Sequence, residues 1–308
     1  MMTKFLYVIN YAEGEEQLCQ LEMKYLFNQQ LTQKWLISTI EMDPSRSVFI
    51  KERLTVLYEA LTFEELYESV KQQPLSYDTF KLLFLRFPNQ TLAYRERLKM
   101  LNEIGSLIGG EAEMTHPKQL LGLTEFEGKW LFGPLQPNSN TWVTHENKPY
   151  SYSFSLGVRL SRAIANIAVG HDVSKKIIDP CCGVGTVILE VLTVGGDIIG
   201  NELNEKVSWK AGENLRHYGH APLITTGDIK EVEGHYDVTI IDLPYGHFSS
   251  IDPEVQQMII NEARRLSKQL ILVTQVDMSQ EIVKAGFRVI DQCQINKGRF
   301  IRYLNICE

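Results

Sequence analysis

The amino-acid sequence predicts an α/β domain on a doubly wound, mainly parallel sheet, preceded by an α+β domain. Three observations predict it. From about residue 150, short apolar runs of strand length alternate with helix-length segments, the spacing of βαβ units whose sheet is covered on both faces. At the end, residues 287–294 and 299–306 are strand-like runs joined by the short Asn296-Lys297-Gly298 loop, which predicts an antiparallel hairpin closing the sheet edge. Residues 1 to about 150 lack this alternation and mix strand-length runs with helical patterns.

In chain order, residues 5–9, 35–40, 80–85 and 130–132 read as strands because they are short, apolar and rich in β-branched or aromatic residues. Thr62-Phe63-Glu64-Glu65 has capping-box spacing before Leu66 and Tyr67, and Leu98, Leu101, Ile104 and Ile108 recur at helical intervals. Tyr58, Phe63, Tyr67, Phe80, Phe84 and Phe87 are assigned to core rather than to a stacking platform. Residues 133–140, rich in Pro, Asn and Ser, break all periodicity and are expected as a surface connection. The domain junction is placed there, giving domains 1–147 and 148–308. Beyond it Leu156, Leu160, Ile164 and Ile167 form a helical stripe, and strands are expected at 176–178, 197–199, 223–225, 237–241 and 269–273.

Composition narrows the function classes. The 308 residues are 44% hydrophobic and 22% charged, an ordinary globular balance that excludes collagen, coiled-coil and disordered chains. No run approaches the roughly 18 residues of a membrane span, and the start has no secretory pattern, so a cytoplasmic protein with no membrane partner is expected. The five cysteines form no CxxC pair and the histidines no metal-binding face, so reduced thiols and no metal are expected. A formal charge of −7 argues against wholesale electrostatic capture of nucleic acid. A local basic cluster remains, Arg86, Arg95, Arg97 and Lys99, with Lys118 and Lys129 further on, and reads either as a phosphate contact or as a solvated face diluted by Glu96 and Glu103.

Two segments carry chemistry. Ile177-Ile178-Asp179-Pro180-Cys181-Cys182-Gly183-Val184-Gly185-Thr186 is an apolar strand running into a glycine turn that opens a helix, a place where backbone can approach a ligand and helix N–H groups face it. Asp179 stands at the strand end, Pro180 stiffens the turn, and Glu202 ends the next strand, where a carboxylate can accept ribose hydroxyls. Nicotinamide dinucleotide fits less well, because Ile188 stands where a third glycine is wanted. The second segment, Val238-Thr239-Ile240-Ile241-Asp242-Leu243-Pro244-Tyr245-Gly246, brings an acid, a proline and an aromatic to the same edge. A carboxylate beside a backbone carbonyl can accept both hydrogens of an exocyclic amine while an aromatic ring stacks on the heterocycle. The competing reading is a turn whose Asp242 caps a helix.

Residues 150–308 resemble a class I S-adenosylmethionine-dependent methyltransferase of the amino-methylating type, and the two motifs are most similar to those of the THUMP-containing tRNA guanosine N2-methyltransferases that act on position ten. The leading segment Lys148-Pro149-Tyr150-Ser151-Tyr152-Ser153-Phe154-Ser155-Leu156 is similar too, whereas residues 1–147 resemble that family's ferredoxin-like and THUMP region only faintly. Leu243 stands where the family usually has its first proline, and Asn204 where a second acid is common. The resemblance implies a Rossmann-like seven-stranded sheet and S-adenosyl-L-methionine as cofactor. It implies that Gly183 and Gly185, with Asp179, Pro180, Cys181 and Thr186 of the same loop, hold the methionine part, Glu202 the ribose, Asp228 the adenine amine and Ser155 the methionine end. Asp242, the Leu243 carbonyl, Pro244 and Tyr245 would hold the target amine, with RNA, most specifically tRNA, as partner. Adenine N6 methylation of DNA or RNA, a non-catalytic nucleic-acid binder and a small-molecule methyltransferase are the competing functions. Cys181 and Cys182 are read as loop residues rather than nucleophiles, since neither has a basic partner nearby.

Overall fold

The computed structural model describes residues 2–88, 90–151, 155–244, 252–297 and 300–308. The chain divides into two compact units, one of Met1–Asn10, Gln33–Ser45 and Ile50–Ser139, the other of Tyr11–Thr32, Arg46–Phe49 and Asn140–Glu308. Both are discontinuous in sequence, and the last crossing, between Ser139 and Asn140, lies close to the 147/148 junction drawn from the sequence.

The first unit carries one eight-stranded sheet. Strands β1 (Lys4–Ile9), β2 (Trp35–Ser38), β3 (Ile50–Val56), β4 (Tyr58–Ala60), β5 (Ser76–Phe84), β6 (Gly109–Ala112), β7 (Gln119–Phe126) and β8 (Lys129–Pro137) run in the order β2-β1-β3-β8-β7-β5-β6, with β4 also paired to β8. Helix α2 (Phe63–Gln72) begins at the expected capping box: Glu65 N–H donates to Thr62 Oγ1 at 3.2 Å and Thr62 N–H donates to Glu65 Oε2 at 3.3 Å. Its buried Leu66 and Val70 join Phe80, Ile104, Trp130 and Phe132 in one core, to which α3 (Tyr94–Gly105) contributes. The aromatics Tyr58, Phe63, Tyr67 and Phe84 pack on that core and Phe87 on its neighbour, as expected.

Residues 133–140 correct the sequence reading, because the chain is strand as far as Pro137. Strand β8 changes partner here, from β4 at residues 130–132 to β3 at 135–137, and a partner change tolerates a proline that cannot donate to the ladder. Gly133 is required by close approach: a Cβ there would lie 2.0 Å from the Thr55 carbonyl oxygen.

In the second unit, α4 (Val158–Val169) precedes β9 (Lys176–Asp179), α5 (Thr186–Thr193), β10 (Asp197–Glu202), α6 (Glu205–His217), β11 (Ile224–Thr226), β12 (Tyr236–Asp242), α7 (Pro253–Leu266), β13 (Ser267–Thr274), α8 (Ser279–Lys284), β14 (Val289–Lys297) and β15 (Phe300–Cys307). The seven strands lie in the order β11-β10-β9-β12-β13-β15-β14, parallel from β11 through β13, with β15 antiparallel to both β13 and β14. The α/β sheet and terminal hairpin are therefore those the sequence predicts, except that Asn296 and Lys297, expected in the loop, pair with Ile301 and Phe300 as the end of β14. Val238, Ile240, Ile241, Leu270 and Leu272 are fully buried, which is why these strands read as unbroken apolar runs. Among the described residues no helix is long and apolar enough to cross a membrane.

Helix α1 (Glu16–Phe27), although it precedes β2 in the chain, belongs to this second unit and packs on α4 and β14. It is held by polar contacts as well as by Leu18, Met23 and Leu26. Glu22, fully buried, accepts from Ser47 Oγ at 2.7 Å and from Asn166 Nδ2, and burial raises its carboxyl to about 7. Lys24 and Tyr25 both donate to Asp291 on β14, and Arg159 pairs with Glu15 at 2.7 Å. A fragment of residues 148–308 lacks α1 and leaves Asn166 and the apolar face of α4 uncovered. In a thermal melt it is expected to unfold at least about 10 °C below the full chain; equal midpoints would show that residues 11–32 contribute nothing to this unit.

Candidate active site

The order of the parallel strands reverses between β9 and β12, and at such a switch the carboxyl ends of adjacent strands open a crevice. The sequence places Asp179 at the end of β9, Glu202 at the end of β10, Gly227-Asp228 just past β11 and Asp242 at the end of β12. The structure thus brings the four acids singled out in the sequence to one edge.

The glycine turn between β9 and α5 is shaped by positive φ angles at Gly183 (+54°) and Gly185 (+77°), which side chains other than glycine rarely adopt. A Cβ on Gly183 would meet nothing within 4 Å, so that face of the turn is open to a ligand. Gly185 caps α5, and Thr186, 4% exposed at its first position, has a hydroxyl with no hydrogen-bond partner among the described residues. Glu202 is tied into the turn: its Oε2 accepts from Gly183 N–H and its Oε1 from Asn204 N–H, both at 2.9 Å. Each oxygen keeps a further lone pair for a hydroxyl donor. Asn204, where an acid was expected by resemblance, caps α6 by accepting from Lys206 and Val207 N–H.

The acids differ in their surroundings. Asp179 is 4% exposed, and burial, only partly offset by the Cys181 N–H at 3.3 Å and reinforced by Asp242 and Glu202, raises its carboxyl to about 8. Asp242 Oδ1 is sealed from solvent without a hydrogen bond among the described residues, and burial raises this carboxyl to about 7 against the opposing pull of Arg302. It does not cap α7, a role taken by Asp252, which accepts from Glu254 N–H at 2.9 Å. Asp228 spends one oxygen on Lys230 N–H at 3.0 Å.

Leu243 is buried in the core under α7, and its N–H donates to Val273 carbonyl at 3.0 Å, a bond proline could not make. The Pro244 carbonyl accepts from Gln256 Nε2 at 3.1 Å. Tyr245, the expected stacking residue, lies outside the described residues. Ser155 is half-buried ahead of α4. Cys181 packs against the same core as Leu243, and burial together with the surrounding acids raises both Cys181 and Cys182 far above the ordinary thiol range, so neither is a ready nucleophile.

The basic cluster belongs to the first unit. Arg86 and Arg95 are exposed, Arg97 lies over the Phe84 and Tyr94 rings, and Lys99 pairs with Glu103 at 3.7 Å. Lys118 and Lys129 are matched by Asp78 and Glu59. Two asparagines escaped the sequence reading. Asn201, 3% exposed on β10, donates to the Pro180 and Gly227 carbonyls and accepts from Thr225 Oγ1, linking the ends of three strands. Asn214, 1% exposed, sits among the buried positions of α6. A polar residue inside an otherwise apolar strand or stripe was the available signal.

Comparison with known proteins bears on this geometry. Residues 146–277 match the UPF0020 family model, described as an RMKL-like methyltransferase domain. The tRNA (guanine(10)-N2)-dimethyltransferase of Methanothermobacter thermautotrophicus is 26% identical over 118 residues, 37% of this chain and 35% of that protein, so the matched stretch spans about a third of that relative. The crystal structure of TrmN from Thermus thermophilus covers 99% of both chains with a TM-score of 0.50 at 14% identity, a likeness of fold. A putative methyltransferase solved with S-adenosylhomocysteine covers 99% of this chain and 98% of its own, at a TM-score of 0.48 and 15% identity. Residues 146–277 thus match an RMKL-like methyltransferase domain, and within them the chain is similar to a tRNA guanine N2-methyltransferase.

Proposed function

We propose that the protein transfers a methyl group from S-adenosylmethionine to an exocyclic amine of RNA, guanine N2 of tRNA above all. One observation carries the reading: a buried Asp242 oxygen without a hydrogen-bond partner among the described residues, next in the chain to the Leu243 carbonyl, at the edge that also holds the open glycine turn. The donor set fits the cofactor, since the Gly183 face is open, the Thr186 hydroxyl has no partner among the described residues and Glu202 retains accepting capacity. The relative named for guanine N2 chemistry supports the choice of amine.

When bound, S-adenosylmethionine supplies a methyl carbon on a sulfonium. Gly183, Gly185 and Thr186, with Asp179, Pro180 and Cys181 of the same loop and Ser155, would hold its methionine part, Glu202 the ribose and Asp228 the adenine amine. Ionised Asp242 and the Leu243 carbonyl accept the two hydrogens of the target amine, which turns its lone pair out of the ring system, while Pro244 limits the turn and Tyr245 stacks on the base. With the amine so held, its lone pair would face the methyl carbon that the sulfonium supplies, and Asp242 would take the surplus amine proton and pass it to water. Alignment and electrostatics supply the acceleration, with no covalent intermediate. Arg86, Arg95, Arg97 and Lys99 would contact RNA phosphates, with the exposed Arg86 and Arg95 contributing most.

Incubating the full chain with methyl-labelled S-adenosylmethionine and undermethylated tRNA, then digesting the RNA, should give labelled N2-methylguanosine. Asp242→Ala should lower turnover by at least about 100-fold with cofactor affinity within about threefold of the parent. Label in N6-methyladenosine, or full turnover by the variant, would overturn the assignment.

Because the amine is held by the carboxylate form, transfer should rise with pH through an apparent value near 7. Stability runs the other way. In the unfolded chain Asp242 ionises near 3.8 and in the native state near 7, so between those values only the unfolded state has released the proton and stability falls as pH rises. Asp242→Asn is therefore expected to lose transfer yet gain about 1–2 kcal/mol in urea unfolding at pH 8, and little at pH 4; an equal effect at both pH values would remove the buried carboxyl as its cause.

A further inference from the structure

We propose that Asn214 is a positioning residue that pins the glycine turn of the cofactor site to the chain segment at Tyr150, a role that rests on the methyltransferase reading. Tyr150 N–H donates to Asn214 Oδ1 at 2.9 Å, while Asn214 Nδ2 donates to the Tyr150 carbonyl at 2.8 Å and to the Val184 carbonyl at 2.9 Å. Both amide hydrogens and the carbonyl oxygen are thus engaged by backbone, in a side chain 1% exposed. Only this orientation of the amide satisfies two carbonyls and one N–H.

The position of each partner gives the contact its consequence. Val184 lies between Gly183 and Gly185, so the turn's central carbonyl is fixed at a place where the two flanking residues have no side chains to anchor it. Tyr150 opens the run toward Ser155. Helix α6, which carries Asn214, starts at the Asn204 cap immediately after Glu202, so one rigid element reaches both the ribose acid and the turn. Replacing Asn214 by aspartate keeps an acceptor for Tyr150 but removes both donors and sets a negative group against two carbonyl oxygens. The turn then loses its anchor with little change in volume.

A reporter is built in. The Tyr150 ring meets Trp209 of α6 edge-on, with centroids 5.3 Å apart. Trp209 is 54% exposed, whereas Trp130 and Trp142 are 8% and 6% exposed and Trp35 is half-buried, so acrylamide quenching is weighted toward Trp209. The test uses the full chain, S-adenosylhomocysteine as probe, and the variants Asn214→Asp and Asn214→Ala. Asn305→Ala, another buried asparagine bonded within the sheet, is the matched control for stability. Calorimetry should show binding of S-adenosylhomocysteine weakened about tenfold or more in the folded Asn214 variants and by less than about threefold in the control. The quenching constant of Trp209, taken as the difference from the matching Trp209→Phe proteins, should rise about twofold in the Asn214 variants alone. Affinity equal to the parent, or a loss equal to that of the control, overturns the proposal. Should the Asn214 variants fail to fold, hydrogen exchange on the unaltered chain decides: the Tyr150 amide should slow at least about fivefold with saturating probe, and an unchanged rate overturns it. Failure of the unaltered chain to bind the probe overturns the methyltransferase reading itself, and so is distinguishable from failure of the clamp.

Discussion

The burial of carboxyl groups at the ends of strands covered on both faces is the constraint on which the rest of the second unit depends. Parallel strands of this kind need apolar residues above and below, which removes the water that would otherwise solvate an acid at the strand end. Asp179, Glu202 and Asp242 meet this cost differently. Glu202 is met by two backbone N–H groups. Asp179 has one weak donor and two neighbouring acids, and Asp242 Oδ1 has no donor among the described residues. The folded chain therefore carries one acid wired into the turn and another left without a bond by the described residues. An unsatisfied buried acceptor is destabilising, and a site of this kind persists because the surrounding core over-determines it.

That over-determination is visible at Leu243. A proline at this position would restrict the backbone through its ring; leucine restricts it by a different route. Its N–H carries the bonding between β12 and β13 one residue beyond the strand, and its side chain fills the core beneath α7. The carbonyl of the same residue is thereby directed by two independent anchors. The extra N–H, which in the sequence reads as a loosening of the motif, is consumed by the Val273 carbonyl.

The strands of the second unit were legible because doubly covered strands are unbroken apolar runs, and the hairpin because two such runs follow one another closely, although Asn296 and Lys297, loop-formers by composition, belong to the strand. The end of β8 was not, since Gly133, Pro134 and Pro137 are turn-formers by composition, and only the crossing of β4 and β3 makes a strand of them. The acids of the site were legible because each ends an apolar run. Asn201 and Asn214 were not, because the carbonyls they meet lie 21 to 64 residues away in sequence, and no local pattern records which carbonyl a buried amide meets. Nor does periodicity say which core a helix serves, and so α1 reads as part of the N-terminal half.

The placement of α1 bears on the site through α4. Glu22 is buried where a leucine would satisfy the apolar stripe of the helix, and it holds Ser47 and Asn166 instead. Arg46 adds bonds to Asn166 Oδ1 and to the Gly170 carbonyl at the end of α4. An apolar contact would accept several rotations of one helix on the other, whereas this set of directed bonds accepts few. At the other end of α4, Arg159 is fixed by Glu15 and lies over the Phe49 and Trp142 rings. Both ends of the helix that follows Ser155 are therefore braced by residues from the first fifty of the chain. The wall of the methyltransferase domain is in this sense built partly from its N-terminal sequence, which explains why residues 11–32 and 46–49 carry polar groups suited to a partner more than a hundred residues away.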